Sequence, residues 1–203
     1  MANIAINPML TTNAFGLFNV NSAGFTQGDA LDDPAVKFQL ASGFLKPTET
    51  LPMWGGLPIL EDVPLSTTVP SSGILNGGIG RATTVAEITG ICVFNQAFQG
   101  VTTPQSTAPQ YTSGMTVNFY RLGTNARIPM RCDPALISLD GELITSNVTY
   151  DFANDWLTAG TVANKINVRV LKVSTTGNKT VSYDPVTGFA NWVNNEFVAI
   201  VLI

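Results

Sequence analysis

The chain has 203 residues, no histidine, charge on only 12% of positions and a formal net charge of −4, whereas an ordinary soluble chain is roughly a quarter charged. Without His it lacks the commonest general acid–base and metal-ligand side chain, and its ten Lys and Arg are scattered, forming no cationic cluster for nucleic acid or anionic lipid. A surface covered mainly by Thr, Asn, Ser and Gln suits packing against a partner better than turning over a substrate.

Length suggests one domain, with or without an appendage. At this size about 70% of the unfolded chain's surface is buried on folding, so a self-sufficient core is feasible. Cys92 and Cys132 could pair with each other, but two cysteines are too few for a secreted disulfide scaffold and read first as reduced thiols, Cys92 on a core strand. The N-terminus lacks the basic and apolar regions of a signal peptide, and no run approaches the ~20 apolar residues of a membrane span. The expectation is a protein made in a cytoplasm, with no membrane and no nucleic-acid partner.

The first charge is Asp29. Before it, Asn, Thr, Ala and Gly are punctuated by Phe15, Phe18 and Phe25, with no sustained period of 2 or 3.6. Residues 1–34 therefore read as an extended arm whose phenylalanines dock on this subunit or another, or as an irregular layer wrapping its own domain. Residues 35–203 read as a β-domain. Val36, Phe38 and Leu40 alternate with polar neighbours, as do Met115, Val117 and Phe119, and Ile166, Val168 and Val170. Such alternation marks half-buried strands. At Leu171–Val173 the phase shifts as a bulge would shift it. Ile88–Phe94 and Phe197–Ile203 are near-continuous apolar runs, expected as strands covered on both faces.

Turns are expected at Lys46-Pro-Thr, Trp54-Gly-Gly, Asn76-Gly-Gly, Asp140-Gly and Asp184-Pro-Val-Thr-Gly188. Asp140-Gly141 would join Leu136–Leu139 to Leu143–Ile144 as a hairpin. The run from Asp155 to Gly160 is expected to start a short helical turn. Residues 99–114, uncharged and rich in Thr, Ser and Gln, read as a long exposed loop. Strands at short intervals with Gly and Pro turns indicate an all-β sandwich or barrel.

The templates for chemistry fail. His-dependent triads and zinc sites are excluded by composition, and no phosphate-binding loop ends in Gly-Lys-Ser/Thr. Asn76-Gly-Gly-Ile-Gly80 fits a hairpin turn better than a phosphate cradle, having no helix after it. Asp29, Asp32 and Asp33, Asp140 and Glu142, and Asp151 and Asp155 lack calcium-loop spacing and are expected in turns and caps. No catalytic, cofactor-binding or metal-ligating residue is assigned. Trp54, Trp156 and Trp192 are candidates for a sugar-stacking platform, or for ordinary packing.

Three segments carry a family likeness: Leu40-Ala-Ser-Gly-Phe-Leu-Lys-Pro47, Leu51-Pro-Met-Trp-Gly-Gly-Leu-Pro58, and Val181-Ser-Tyr-Asp-Pro-Val-Thr-Gly-Phe-Ala-Asn-Trp192 before an apolar last strand. In these the chain resembles the decoration, or cement, proteins of tailed-bacteriophage heads. The resemblance implies a jelly-roll-like β-sandwich or related β-barrel with an extended N-terminal arm. It implies a homo-oligomer, dimer or trimer, bridging neighbouring subunits of the major capsid protein. It further implies a location on the virion head surface after synthesis in the bacterial host cytoplasm. Phe15, Phe18, Phe25 and Trp54 are the expected capsid or subunit contacts. The alternative is a tail or baseplate module that binds host-surface glycan through its tryptophans.

Overall fold

The computed structural model describes residues 24–31, 34–62, 78–94, 106–140, 147–194 and 196–203. The chain is all-β, built from several antiparallel sheets around one buried apolar cluster. The largest sheet holds β1 (Ala41–Phe44), β2 (Pro58–Asp62), β3 (Gly78–Arg81), β4 (Gly90–Cys92) and β5 (Thr116–Arg121), in the order β1-β5-β4-β2-β3. It rolls until its edges meet. Leu45, just after β1, bridges Ile79 within β3, and the Lys46 N–H donates to the Ile79 carbonyl at 2.9 Å. Leu45, Ile59, Ile79, Ile91, Val117 and Phe119 are fully enclosed.

A second sheet, in the order β6-β12-β9, is formed by β6 (Arg127–Arg131), β9 (Arg169–Ser174) and β12 (Val198–Leu202). The C-terminal β12 is its central strand, which explains the continuous apolar run there: it has neighbours on both edges and is buried over Val198–Val201. The expected bulge is present. Ile200 pairs with Lys172 and Val201 with Val170, so Leu171 is the extra residue. Two hairpins complete the fold: β7 (Val148–Asp151) with β8 (Trp156–Ala159), and β10 (Lys179–Asp184) with β11 (Phe189–Asn194). The second turns through Asp184-Pro-Val-Thr-Gly188 as expected. The Asp184 carboxylate accepts from Val186 N and Thr187 Oγ1, and Gly188 supplies a φ of 74°.

Four local expectations are corrected. Val36–Leu40 is not a strand: Pro34–Lys37 forms one helical turn, α1, and β1 begins after it. Leu136–Leu139 is not a hairpin arm but belongs to a 3₁₀ segment, Pro134–Leu139, capped by the Asp133 carboxylate accepting from Ala135 N at 2.8 Å. Leu143 and Ile144 lie outside the described residues. At Pro134 the cause is Asp-Pro, since an acidic cap followed by proline at the first helical position starts a helical turn; the same dipeptide stands before α1 in the sequence, with Asp33 outside the described residues. The run after Asp155 is the strand β8, reached through Asp155 in the left-handed region at φ 53°. The strand expected at Met115–Tyr120 is present as β5, yet Val117, Asn118, Phe119 and Tyr120 are all buried, so both of its faces are covered.

The loop expected to be exposed at 99–114 is exposed at Thr107 and over residues 112–114 but corrected between them and at its start, residues 99–105 lying outside the described part. Ser106, Ala108, Gln110 and Tyr111 are buried. The Ser106 hydroxyl donates to the Ala190 carbonyl at 2.5 Å and accepts from Ala190 N, while Met53 and Tyr111 exchange backbone hydrogen bonds. Buried backbone must be paired, and this segment meets that need by covering the edge of β11.

Candidate functional site

Residues 24–31 form a strap that ties three sheets together. The Lys179 N–H donates to the Phe25 carbonyl and Gln27 N to the Lys179 carbonyl, both at 2.8 Å, placing the strap along β10. Gly28 N and Leu31 N donate to the carbonyls of Pro129 and Arg127 on the edge of β6. Phe94 N, next to β4, donates to the Gly28 carbonyl at 2.9 Å. At the centre is Gln27, 1% exposed. Its Nε2 donates to the Gly55 carbonyl at 3.1 Å, and its Oε1 accepts from Val181 N at 3.0 Å. Two glycines allow the approach. A Cβ on Gly24 would strike the Gly177 carbonyl, and one on Gly28, whose φ is 75°, would enter the backbone of Gly55.

Of the expected contact residues, Phe15 and Phe18 lie outside the described residues. Phe25 is half-buried on its own subunit, with the Lys172 ammonium 5.7 Å from its ring centroid. Trp54 is corrected as an interface residue: at 1% exposure it has no surface to offer a partner. It stacks at 5.5 Å against Tyr183 and lies under the Arg81 guanidinium at 5.1 Å. Trp156 lies under Arg131, and Trp192 packs on Phe94. Each tryptophan packs on neighbours of its own chain, Trp54 fully and Trp156 and Trp192 in part.

A concavity lies between the rolled sheet and the β7–β8 hairpin. Arg81, at the end of β3, holds it together. Its Nη2 donates to Asp155 Oδ1 at 2.7 Å and its backbone N–H to Glu49 Oε2 at 3.0 Å. Glu49, Arg81, Tyr150 and Asp155 line a cleft of about 180 Å³ with Leu51 and Phe152. Tyr150 is buried against Phe152 at 5.1 Å, and its hydroxyl has no hydrogen-bond partner among the described residues. Burial first, and then the negative charge of Asp155, raises its pKa well above the usual tyrosine range, so the hydroxyl keeps its proton.

The other described carboxylates have structural duties. Asp140 Oδ1 accepts from Val173 N on β9 at 2.7 Å. Asp151 caps its own turn, and the Asn154 side-chain amide bonded to it lowers its pKa before the turn N–H groups add to the effect. Glu87 accepts from Thr83 and Thr84 and is likewise lowered. Asp32, Asp33 and Glu142 lie outside the described residues. Among those described, no three His, Cys, Asp or Glu side chains come together to hold a metal ion. Cys92 and Cys132 are separate buried thiols. Burial raises the pKa of both, with Asp133 adding to the effect at Cys132, which is pushed up to about 12. No helix among the described residues is long and apolar enough to cross a membrane.

No protein-family model, curated protein or solved structure matches the chain.

Two groups escape sequence reasoning. Gln27 shows no pattern in a polar stretch, and its duty depends on a partner 154 positions away. Phe38, expected to point inward from a strand, is 93% exposed beyond α1, and Val186 is 91% exposed in the β10–β11 turn. The Asp-Pro signal before α1 marks the element that turns Phe38 outward.

Proposed function

We propose that this chain is a structural virion protein that decorates and stabilises a phage head, bridging neighbouring major-capsid subunits as a dimer or trimer and catalysing no reaction. Phe38 carries the reading. A phenylalanine 93% exposed just after α1 is an apolar anchor with few rotatable bonds, and such a side chain loses little conformational freedom on docking. A weakly charged surface supports the same role, having few long side chains to immobilise. On a repeating lattice, many modest contacts of this kind add up to high avidity.

Strand addition between subunits fits less well. The β6 and β10 edges are covered by the strap, and β11 by residues 106–108. Docking on this account proceeds through side chains at turns, with Phe38 and Val186 in the place first given to Trp54. Within residues 1–34 the proposal keeps the arm role for Phe15 and Phe18, whereas residues 24–31, with Phe25, wrap their own domain. The rolled five-stranded sheet favours the barrel-like form of the expected architecture over a flat sandwich. The tail-module alternative loses Trp54 from its tryptophan platform, that ring being 1% exposed.

Reconstitution tests the reading. Purified chain mixed with heads lacking it should co-sediment to saturation and raise the temperature at which the heads rupture. Phe38→Ser should fold normally and bind measurably less. Failure of the unaltered chain to co-sediment overturns the proposal.

A further inference from the structure

We propose that the open end of the three-stranded sheet docks the carboxylates of a second copy of this chain. Such a contact would join the copies of the oligomer proposed above, and so rests on that reading. Self-association is measured without heads, however, so each can fail alone. Strand register carries the inference. Leu202 on the central β12 lies directly opposite Arg127 on β6 and Arg169 on β9. Residues paired across a ladder project to the same face. Twice the ordinary strand spacing separates the two arginine backbones, about 10 Å, with Leu202 between them. The next row on that face is Pro129, Ile200 and Lys172, and the last is Arg131, Val198 and Ser174.

Cations scattered along the sequence are thereby gathered on one face, which is closed at one end and open at the other. Val198 and Ser174 are buried, as is Ile200, and the Lys172 ammonium lies 5.7 Å from the centroid of the strap's Phe25 ring. Arg127, Arg169 and Lys172 are exposed, and Leu202 is half-buried. Charge identifies the occupant. Lys46, Arg81, Arg121 and Arg131 are neutralised at home by Asp62, Asp155, Glu61 and Glu196. Arg127, Arg169 and Lys172 have no carboxylate partner among the described residues. Like charges on neighbouring strands repel, and an anion set between them relieves the repulsion. The same chain carries the complement. Glu87, Asp151 and Asp184 stand at the surface and, among the described residues, bond only to uncharged groups, chiefly Thr83, Asn154 and Thr187. A polyanion fits less well, because a net charge of −4 opposes nucleic acid at long range.

Sedimentation velocity of the full chain, over a concentration series at low salt and at about 0.5 M salt, tests the contact. The chain should form a dimer or trimer whose affinity falls about tenfold or more in the higher salt. Arg127→Glu with Arg169→Glu, both at exposed positions, should leave the melting temperature unchanged and weaken association at least about tenfold. Arg127→Lys with Arg169→Lys keeps the charge and should associate nearly as the unaltered chain does. A chain that stays monomeric at every concentration overturns the proposal, whatever acidic partner it accepts instead. So does an oligomer indifferent to salt and to charge reversal, which would be held by another surface. Equal loss of association in the glutamate and lysine pairs would remove charge as the cause and overturn it too.

Discussion

Gln27→Ala is the sharpest probe of the strap. The substitution removes the amide that joins Gly55 on one side to Val181 on the other, at 3.1 and 3.0 Å, from a position 1% exposed. It leaves a carbonyl and an N–H buried without partners, at about 1–3 kcal/mol each. Losing the buried stem adds about 1 kcal/mol. The expected total is about 3–7 kcal/mol, a large share of the ~5–15 kcal/mol that holds a typical domain together. Urea unfolding followed by tryptophan fluorescence should show the midpoint falling by about 1–3 M at an unchanged slope. Gln27→Met separates the causes: it restores the stem without the hydrogen bonds and should recover only the packing part. A cost below about 1 kcal/mol for Gln27→Ala would refute the reasoning, because the strap would then lie outside the cooperative unit.

Three further outcomes follow from the same geometry. Cys92 and Cys132 should not react with a chromogenic disulfide reagent at mildly alkaline pH in the native protein, because burial raises both pKa values; both should react in denaturant. Asp151 and Asp184 have lowered folded-state pKa values, caused first by the side chains of Asn154 and Thr187. Their stabilisation is present above the ordinary aspartate pKa and is lost as pH falls through the lowered values, so melting temperature should drop across that acid window, and Asp151→Asn should flatten the drop. Tyr150→Phe should be neutral or stabilising by up to about 1 kcal/mol in urea unfolding, since it removes a buried hydroxyl that has no partner among the described residues.

Period and turn chemistry made much of the fold legible. The alternation at Val117 and Phe119, the phase shift at Leu171, the Pro-Val-Thr-Gly turn and the apolar last strand all reappear as β5, the β9 bulge, the β10–β11 hairpin and β12. Misreadings arose where a local signal was outweighed by alternation. Asp33-Pro34 and Asp133-Pro134 each precede a helical turn, and the apolar spacing after them suggested strands instead. The polar run 106–111 was read as exposed because Ser and Gln are usually found outside. Its burial depends on Ala190 and Met53, which pair with it only in the folded chain. The cleft was illegible for the same reason. Asp155 was visible as a turn residue, but Arg81, its partner, lies 74 positions away. A buried polar pair leaves no periodic trace.

The central claim is that the chain belongs to a head lattice, and copy number tests it most directly. Quantitative mass spectrometry of gradient-purified particles, referenced to their major capsid protein, should give a ratio of one to one or a simple fraction of it. A handful of copies per particle would assign the chain to the tail, and its absence from the particles would contradict the account outright.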